Sequence, residues 1–365
     1  HLVCRLGTAR PHPTALLGRD EELGLLRRRF DLAADGEGQV VVLGGEAGVG
    51  KTRLVEALLE DVAGRDPAIV RLPCSPVDEQ TAFHPLREHL RTVDLRGRLA
   101  HPADRTVAAS ERLLSDWMRH GERVLDVVSP DPDERRRALL RAALVHLSAP
   151  GGGGPVVCVV EDVQWIDAST EELLNSLAEM TSEMSLLLLV THRPPAVPSV
   201  GERADATLLR LGGLPRGETA DLVRLVAGDV DLPSDVVAEL TVRTSGIPLF
   251  AEEMAREVVE QRRMPDAVVP ATLHDTLTAR LDRIPAARET VQAAAVLGFG
   301  FDLDDLATID DREVGRIVAD VEQLCEVGTV VRRGSGPGTA YRFRHQLLRD
   351  IAHESLPADR RRALH

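Results

Sequence analysis

At 365 residues the chain exceeds one average domain, so two or three compact units are expected. With 43% hydrophobic and 28% charged residues it has the make-up of an ordinary soluble protein, and a net charge of −14 argues against a surface that grips a nucleic-acid backbone. No apolar run approaches the roughly 20 residues of a membrane span and no secretory signal is present, so the expectation is a cytoplasmic protein with no membrane partner.

Aromatic residues make up only 2% of the chain, so its cores must be built from Leu, Val, Ile and Ala. Cys4, Cys74, Cys158 and Cys325 are scattered, without a CxxC pair or a histidine at ligand spacing, and read as reduced thiols. Lys51 is the single lysine among 44 basic residues, the others being arginine. A compact ammonium is wanted where it stands, and a planar guanidinium would fit badly.

In chain order, residues 1–17 carry Pro11 and Pro13 and read as a linker; the first residue is His1, so a preceding piece is expected. Residues 20–34 have apolar positions at helical spacing. Gln39–Leu43 is a short buried strand, followed by GGEAGVGKT and an amphipathic helix over Arg53–Ala63. Ala68–Leu72 is a second strand, and residues 84–148 are mostly helical, broken by turn clusters. After the glycines 151–154 come three more apolar runs, Pro155–Val160, Leu186–Val190 and Ala206–Leu211. Strands without alternation, separated by helices, indicate a parallel sheet covered on both faces. Beyond Gly213 the pattern predicts helices over 216–228, 233–244 and 249–262, a boundary near 262–270, and then short helices with a hairpin whose turn is GSGPG. That last combination suits a winged-helix unit.

The chemistry concentrates in two places. Gly45, Glu46, Ala47, Gly48, Val49, Gly50, Lys51 and Thr52 satisfy the GxxxxGK[ST] pattern between a buried strand and a helix, with Arg53 next in line. Such a loop wraps backbone N–H groups around phosphate, aided by the helix N-terminus. Lys51 is then expected on the β- and γ-phosphates and Thr52 on Mg²⁺. Val156–Asp162 is a buried strand ending in two acids. There Glu161 can hold the metal through its waters and Asp162 can orient or deprotonate the attacking water, although the order of these roles stays open. Thr191 and Arg193 close the next strand, where a polar group could sense the γ-phosphate. Gly246-Ile247-Pro248 opens a lid helix in which Pro248 is either a favourable first residue or an adenine contact.

Taken together these motifs resemble the STAND-type NTPases of the AAA-like branch, and more narrowly the ATPase module of large bacterial adenylate/guanylate cyclase-like and LuxR-type regulators. ALLGRDEEL resembles the family's opening motif, which implies that Gly18 and Arg19 lie near the nucleotide base. CSPVDEQTAFHPLREHL resembles a segment of cyclase-fused members. VVEDVQWIDAST resembles the extended Walker B signature, RTSGIPLFAEEM the lid, and YRFRHQLLRDIAHESL the end of the winged helix. RHQLLRD also resembles a histidine motif of immune and apoptotic relatives, which implies that His345 reads the ADP β-phosphate; Gln346 stands where that family has Asp, and a packing histidine is the plain alternative.

The resemblance implies a linker over 1–17, a P-loop NTPase core over 18–212, a helical lid over 213–263, a winged-helix domain over 264–355, and the start of a C-terminal helical region over 356–365. It implies ATP/ADP and Mg²⁺ as cofactors and Lys51, Asp162 and Arg193 as the catalytic set. Flanking cyclase or DNA-binding output domains and a helical repeat array are the implied partners. Homo-oligomerisation stays open, and no arginine finger can be assigned. The expected function is a nucleotide-driven switch with slow or partner-assisted ATP hydrolysis; a LuxR-type regulator and a non-hydrolysing scaffold are the alternatives.

Overall fold

A computed structural model describes residues 16–76, 79, 81–93, 105–148, 154–195, 197–263, 277–278, 281, 287–310, 312–333, 340–344, 346–357 and 360. They fall into two compact units. Among the described residues, one contains 19–46 and 50–212; the other contains 16–18, 47–49 and those from Gly213 onward. Among the described residues no helix is long and apolar enough to cross a membrane.

The first unit is a parallel α/β layer. It opens with α1 (Asp20–Ala34), whose Leu26, Phe30 and Ala33 are buried at helical spacing, while Asp20, Glu21 and Glu22 complement the helix dipole in the first turn. Strand β1 (Gln39–Gly45) leads through a loop into α2 (Lys51–Val62), and β2 (Ala68–Pro73) follows. Helices α3 (His84–Thr92), α4 (Arg105–His120) and α5 (Pro132–Ser148) precede β3 (Val156–Glu161). Then come α6 (Ala168–Met180), β4 (Leu186–His192) and β5 (Thr207–Leu211). The five strands are all parallel, in the order β2-β3-β4-β1-β5.

Both faces of the three central strands, β3, β4 and β1, are largely buried, while the edge strands β2 and β5 expose Ile69 and Leu208. Val70, Val160 and Val190 pack with Leu86, Leu114 and Trp117 of the helical segment in one core. The alternate positions Val41, Leu43, Val159 and Leu189 are buried too, and by strand alternation they face the other way. That two-sided burial is why the strands read as unbroken apolar runs. Trp117 is fully buried, with the Arg87 guanidinium 4.2 Å from its ring centroid.

The second unit holds a three-helix cluster, α7 (Arg216–Ala227), α8 (Ser234–Arg243) and α9 (Pro248–Arg263), packed around Leu222, Leu240 and Met254, with Leu17 against it. A further cluster contains α10 (Arg288–Leu297), β6 (Gly300–Asp302), α11 (Leu303–Ile309), α12 (Val314–Glu326), β7 (Val330–Arg333), β8 (Ala340–Phe343) and α13 (Gln346–Glu354). β7 and β8 form the expected antiparallel hairpin, whose GSGPG turn lies outside the described residues. The sheet has a third strand that sequence reading did not anticipate: β6 pairs with β8, giving the order β6-β8-β7. Three residues, one of them glycine, are too few to show strand periodicity.

Candidate functional site

The carboxyl ends of β1, β4 and β3 lie side by side, and they carry the sequence-predicted residues. Gly44 is paired with His192 in the β1–β4 register, and a Cβ there would fall 2.6 Å from His192 Nε2, so the strand must leave the sheet on glycine. Gly48 and Gly50 have φ of +75° and +105°, a backbone that other residues rarely adopt. These turns carry the chain from Gly45 through the exposed Glu46, the half-buried Ala47 and the buried Val49 to the first turn of α2.

Lys51 is the first residue of that helix and is buried. Its Nζ donates to the carbonyls of Gly45 (2.7 Å) and Glu46 (3.1 Å). Burial pushes the ammonium down to about 8; Asp162 and Glu46 pull it back up, and the Arg193 charge pushes it further down. Thr52 is exposed beside it. Arg53 is half-buried and turned along the helix, 3.6 Å from Glu60.

β3 ends at Glu161, one residue earlier than the sequence suggested, because Asp162 turns into the left-handed region at φ +56°. The Asp162 N–H donates to Thr191 Oγ1 (3.0 Å), so β4 holds the acidic turn in place. Gln164 Nε2 donates to Asp162 Oδ1 (3.1 Å), and Gln164 Oε1 accepts the Arg193 N–H (3.1 Å). Arg193 lies just beyond β4, with its Nε 3.5 Å from Asp162 Oδ1. Lys51, Asp162 and Arg193 are thus brought together. Glu161 pairs with Arg71 of β2 (3.1 Å), and Arg71 also donates to Glu56 of α2 (2.8 Å). Sequence reading missed Arg71, Glu56 and Gln164; the lone arginine in the apolar AIVRL run was the only signal. Asp167 caps α6 through the Ser169 and Thr170 N–H groups and accepts the Phe83 N–H, a structural task.

The remaining predicted residues are placed as follows. Arg19 is buried, donating to Glu22 (2.8 Å) and to the Gly212 carbonyl. Gly18 has φ +61°, and a Cβ there would lie 1.6 Å from Glu218 Oε2. Pro248 is the first residue of α9, and the neighbouring Leu249 N–H donates to the Gly48 carbonyl (3.2 Å). His345 lies outside the described residues. Cys74 and Cys158 are buried free thiols, as expected, with burial pushing Cys158 up to about 12.

The donor set fits a magnesium-bound polyphosphate. A buried ammonium, glycine-turned backbone and a helix N-terminus meet here, and the Asp162 carboxylate is near enough to act on the ammonium. Among the described residues no cluster of three or more His, Cys, Asp or Glu side chains could hold a metal ion.

Residues 15–190 match the AAA ATPase domain family, which supports an AAA-type P-loop module in this part of the chain. The chain is 29% identical over 378 residues to the uncharacterized protein R02095 of Rhizobium meliloti (strain 1021), covering 96% of this chain and 36% of that protein. It is also 29% identical over 179 residues to the glutathione/L-cysteine transport system ATP-binding/permease protein CydC of Escherichia coli (strain K12), covering 43% of this chain and 29% of that one. The chain thus spans about a third of the length of the curated relatives it matches. Among solved structures, the Aeropyrum pernix Orc1 protein in complex with DNA aligns with a TM-score of 0.45 and 15% identity, covering 93% of each chain. Cdc6p from Pyrobaculum aerophilum aligns with a TM-score of 0.44 and 13% identity over 96% of this chain and 98% of that one.

Proposed function

We propose that this chain is the ATP-dependent switch of a larger bacterial signalling protein, a STAND-type module most akin to cyclase-fused regulators. One observation carries the reading: the chain's only lysine is buried at the start of α2, its charge felt by Asp162 and Arg193 at the ends of two neighbouring strands. A buried ammonium whose hydrogen bonds go to neutral backbone carbonyls is an unfavourable arrangement that a bound anion relieves.

In this reading Lys51 neutralises the β- and γ-phosphates, and the backbone of Gly45–Gly50 binds the β-phosphate. Arg53 lies beside the phosphate loop. Thr52 and Glu161 hold Mg²⁺, which supplies charge neutralisation of the phosphates. Asp162, fixed by Thr191 and Gln164, orients the attacking water, and Arg193 senses the γ-phosphate through its proximity to Asp162. Gly18, Arg19 and Pro248 flank the base. The helices and small sheet after residue 263 act as a winged helix, from which His345 reads the ADP β-phosphate. Differential contact with the γ-phosphate then biases two states of the module.

The test is calorimetry with ATP and Mg²⁺ beside a turnover assay. Wild type should bind and slowly hydrolyse ATP, and Lys51→Ala should bind it at least a hundredfold more weakly; equal affinity in the two would overturn the assignment. Binding without turnover would favour the scaffold alternative. Reading the gene on both sides separates a cyclase from a DNA-binding output domain.

A further inference from the structure

The arginine in β2 has no task in the scheme above, yet it holds two carboxylates, one of them Glu161. Arg71 bridges two carboxylates through different nitrogens: NH1 to Glu161 Oε1 at 3.1 Å and NH2 to Glu56 Oε1 at 2.8 Å. Glu56 is buried and stands four residues after Thr52 on α2, one turn further along the same helix face. The strand register places Arg71 opposite Val159, two residues before Glu161 on the neighbouring strand. One guanidinium therefore ties the helix that carries Thr52 to the strand that carries Glu161. A lysine could not bridge the two acids in the same way, because only the planar fork offers separate donors in fixed directions.

We infer that Arg71 is a positioning residue for the divalent cation: it fixes the Glu161 carboxylate and sets its spacing from Thr52. The inference rests on the reading of Glu161 as metal-facing. Partners that orient a metal-binding group from behind typically govern 10–100-fold in metal affinity.

The experiment is calorimetry on the full chain with a non-hydrolysable ATP analogue, with and without Mg²⁺, repeated with Mn²⁺. The quantity read is the gain in affinity that the metal confers. In Arg71→Met that gain should fall by at least about tenfold, while metal-free affinity stays within about twofold of wild type. Arg71→Lys should recover only part of it, and Glu56→Gln, which cuts one arm of the bridge, should fall between. These two milder variants carry the test if Arg71→Met does not fold. An unchanged metal gain in all three overturns the inference. So does an equal loss with and without metal, which would mark Arg71 as a packing residue. Glu161→Gln is the internal control: if it keeps the full metal gain, the metal-facing reading of Glu161 fails; if it loses the gain while the Arg71 variants keep it, the inference about Arg71 alone fails.

Discussion

Replacing Lys51 by methionine should make the ligand-free protein more stable at pH 7 while removing its capacity to bind nucleotide. The buried ammonium sits at a pKa of about 8 in place of 10.5, a displacement equivalent to roughly 3 kcal/mol. Its sign is unfavourable to folding: the unfolded chain holds the proton more tightly, so the penalty is fully present below pH 8 and fades as pH rises toward 10.5. Methionine removes the charge but also the two hydrogen bonds to the Gly45 and Glu46 carbonyls, which offset the gain by about 2 kcal/mol. The net expectation at pH 7 is a gain of about 1 kcal/mol, read from urea unfolding of both proteins without nucleotide. Near pH 10, where the penalty has faded to about 1 kcal/mol, the wild type should be the more stable by about 1 kcal/mol. Saturating ATP should reverse the order at pH 7, since a ligand at about a hundred times its Kd adds roughly 2.7 kcal/mol to wild type alone. A Lys51→Met protein that is less stable than wild type at pH 7, by an amount indifferent to pH, would refute the reasoning.

Other expectations bear on the same residues. ATP affinity should fall by about tenfold between pH 7 and 9 as Lys51 loses its proton in the free site, and a flat profile would detach the lysine from binding. Asp162→Asn should slow turnover with ATP still bound, whereas Glu161→Gln should weaken Mg²⁺-ATP; the opposite pattern in paired kinetics and calorimetry would exchange their roles. Gly48→Ala should cost about 1–2 kcal/mol in a melting or urea experiment, because φ is +75° and the new Cβ meets Leu249 Cβ at 2.9 Å; an unperturbed midpoint would contradict this. His345→Ala should accelerate release of fluorescent ADP in stopped flow, while a packing histidine would lower the melting point and leave release unchanged.

The parts legible in the sequence were those whose cause is local. β3 and β4 are unbroken apolar runs because both faces are covered, and α1 shows its buried stripe in the spacing of Leu26, Phe30 and Ala33. The phosphate loop is legible because its glycines and lysine must be consecutive. What stayed hidden depends on which strands become neighbours. Arg71 and Glu56 look like an ordinary strand residue and an ordinary helix residue until β2 pairs with β3, 88 positions apart at Ala68 and Val156. Gln164 was read as part of a motif, but its task of joining Asp162 to Arg193 exists only because β4 lies next to β3. The departure of Asp162 from the strand was illegible for the same reason: its N–H is held by Thr191, on another strand.

The strand order also bears on how the protein is made. β1 has no partner among the strands that follow it soonest; its two neighbours are β4 and β5, residues 186–211. During synthesis the phosphate loop therefore emerges early, attached to a strand that cannot join a sheet until about 150 further residues have been added. By then β2 and β3 can already pair, leaving β1 to be inserted last, between β4 and β5. Joining ends so far apart in sequence is slow relative to local pairing. A fragment ending at Gly154 should thus carry the complete GEAGVGKT motif and still fail to bind nucleotide, since the apolar strand that aims the loop would be left without partners and prone to pair with other chains.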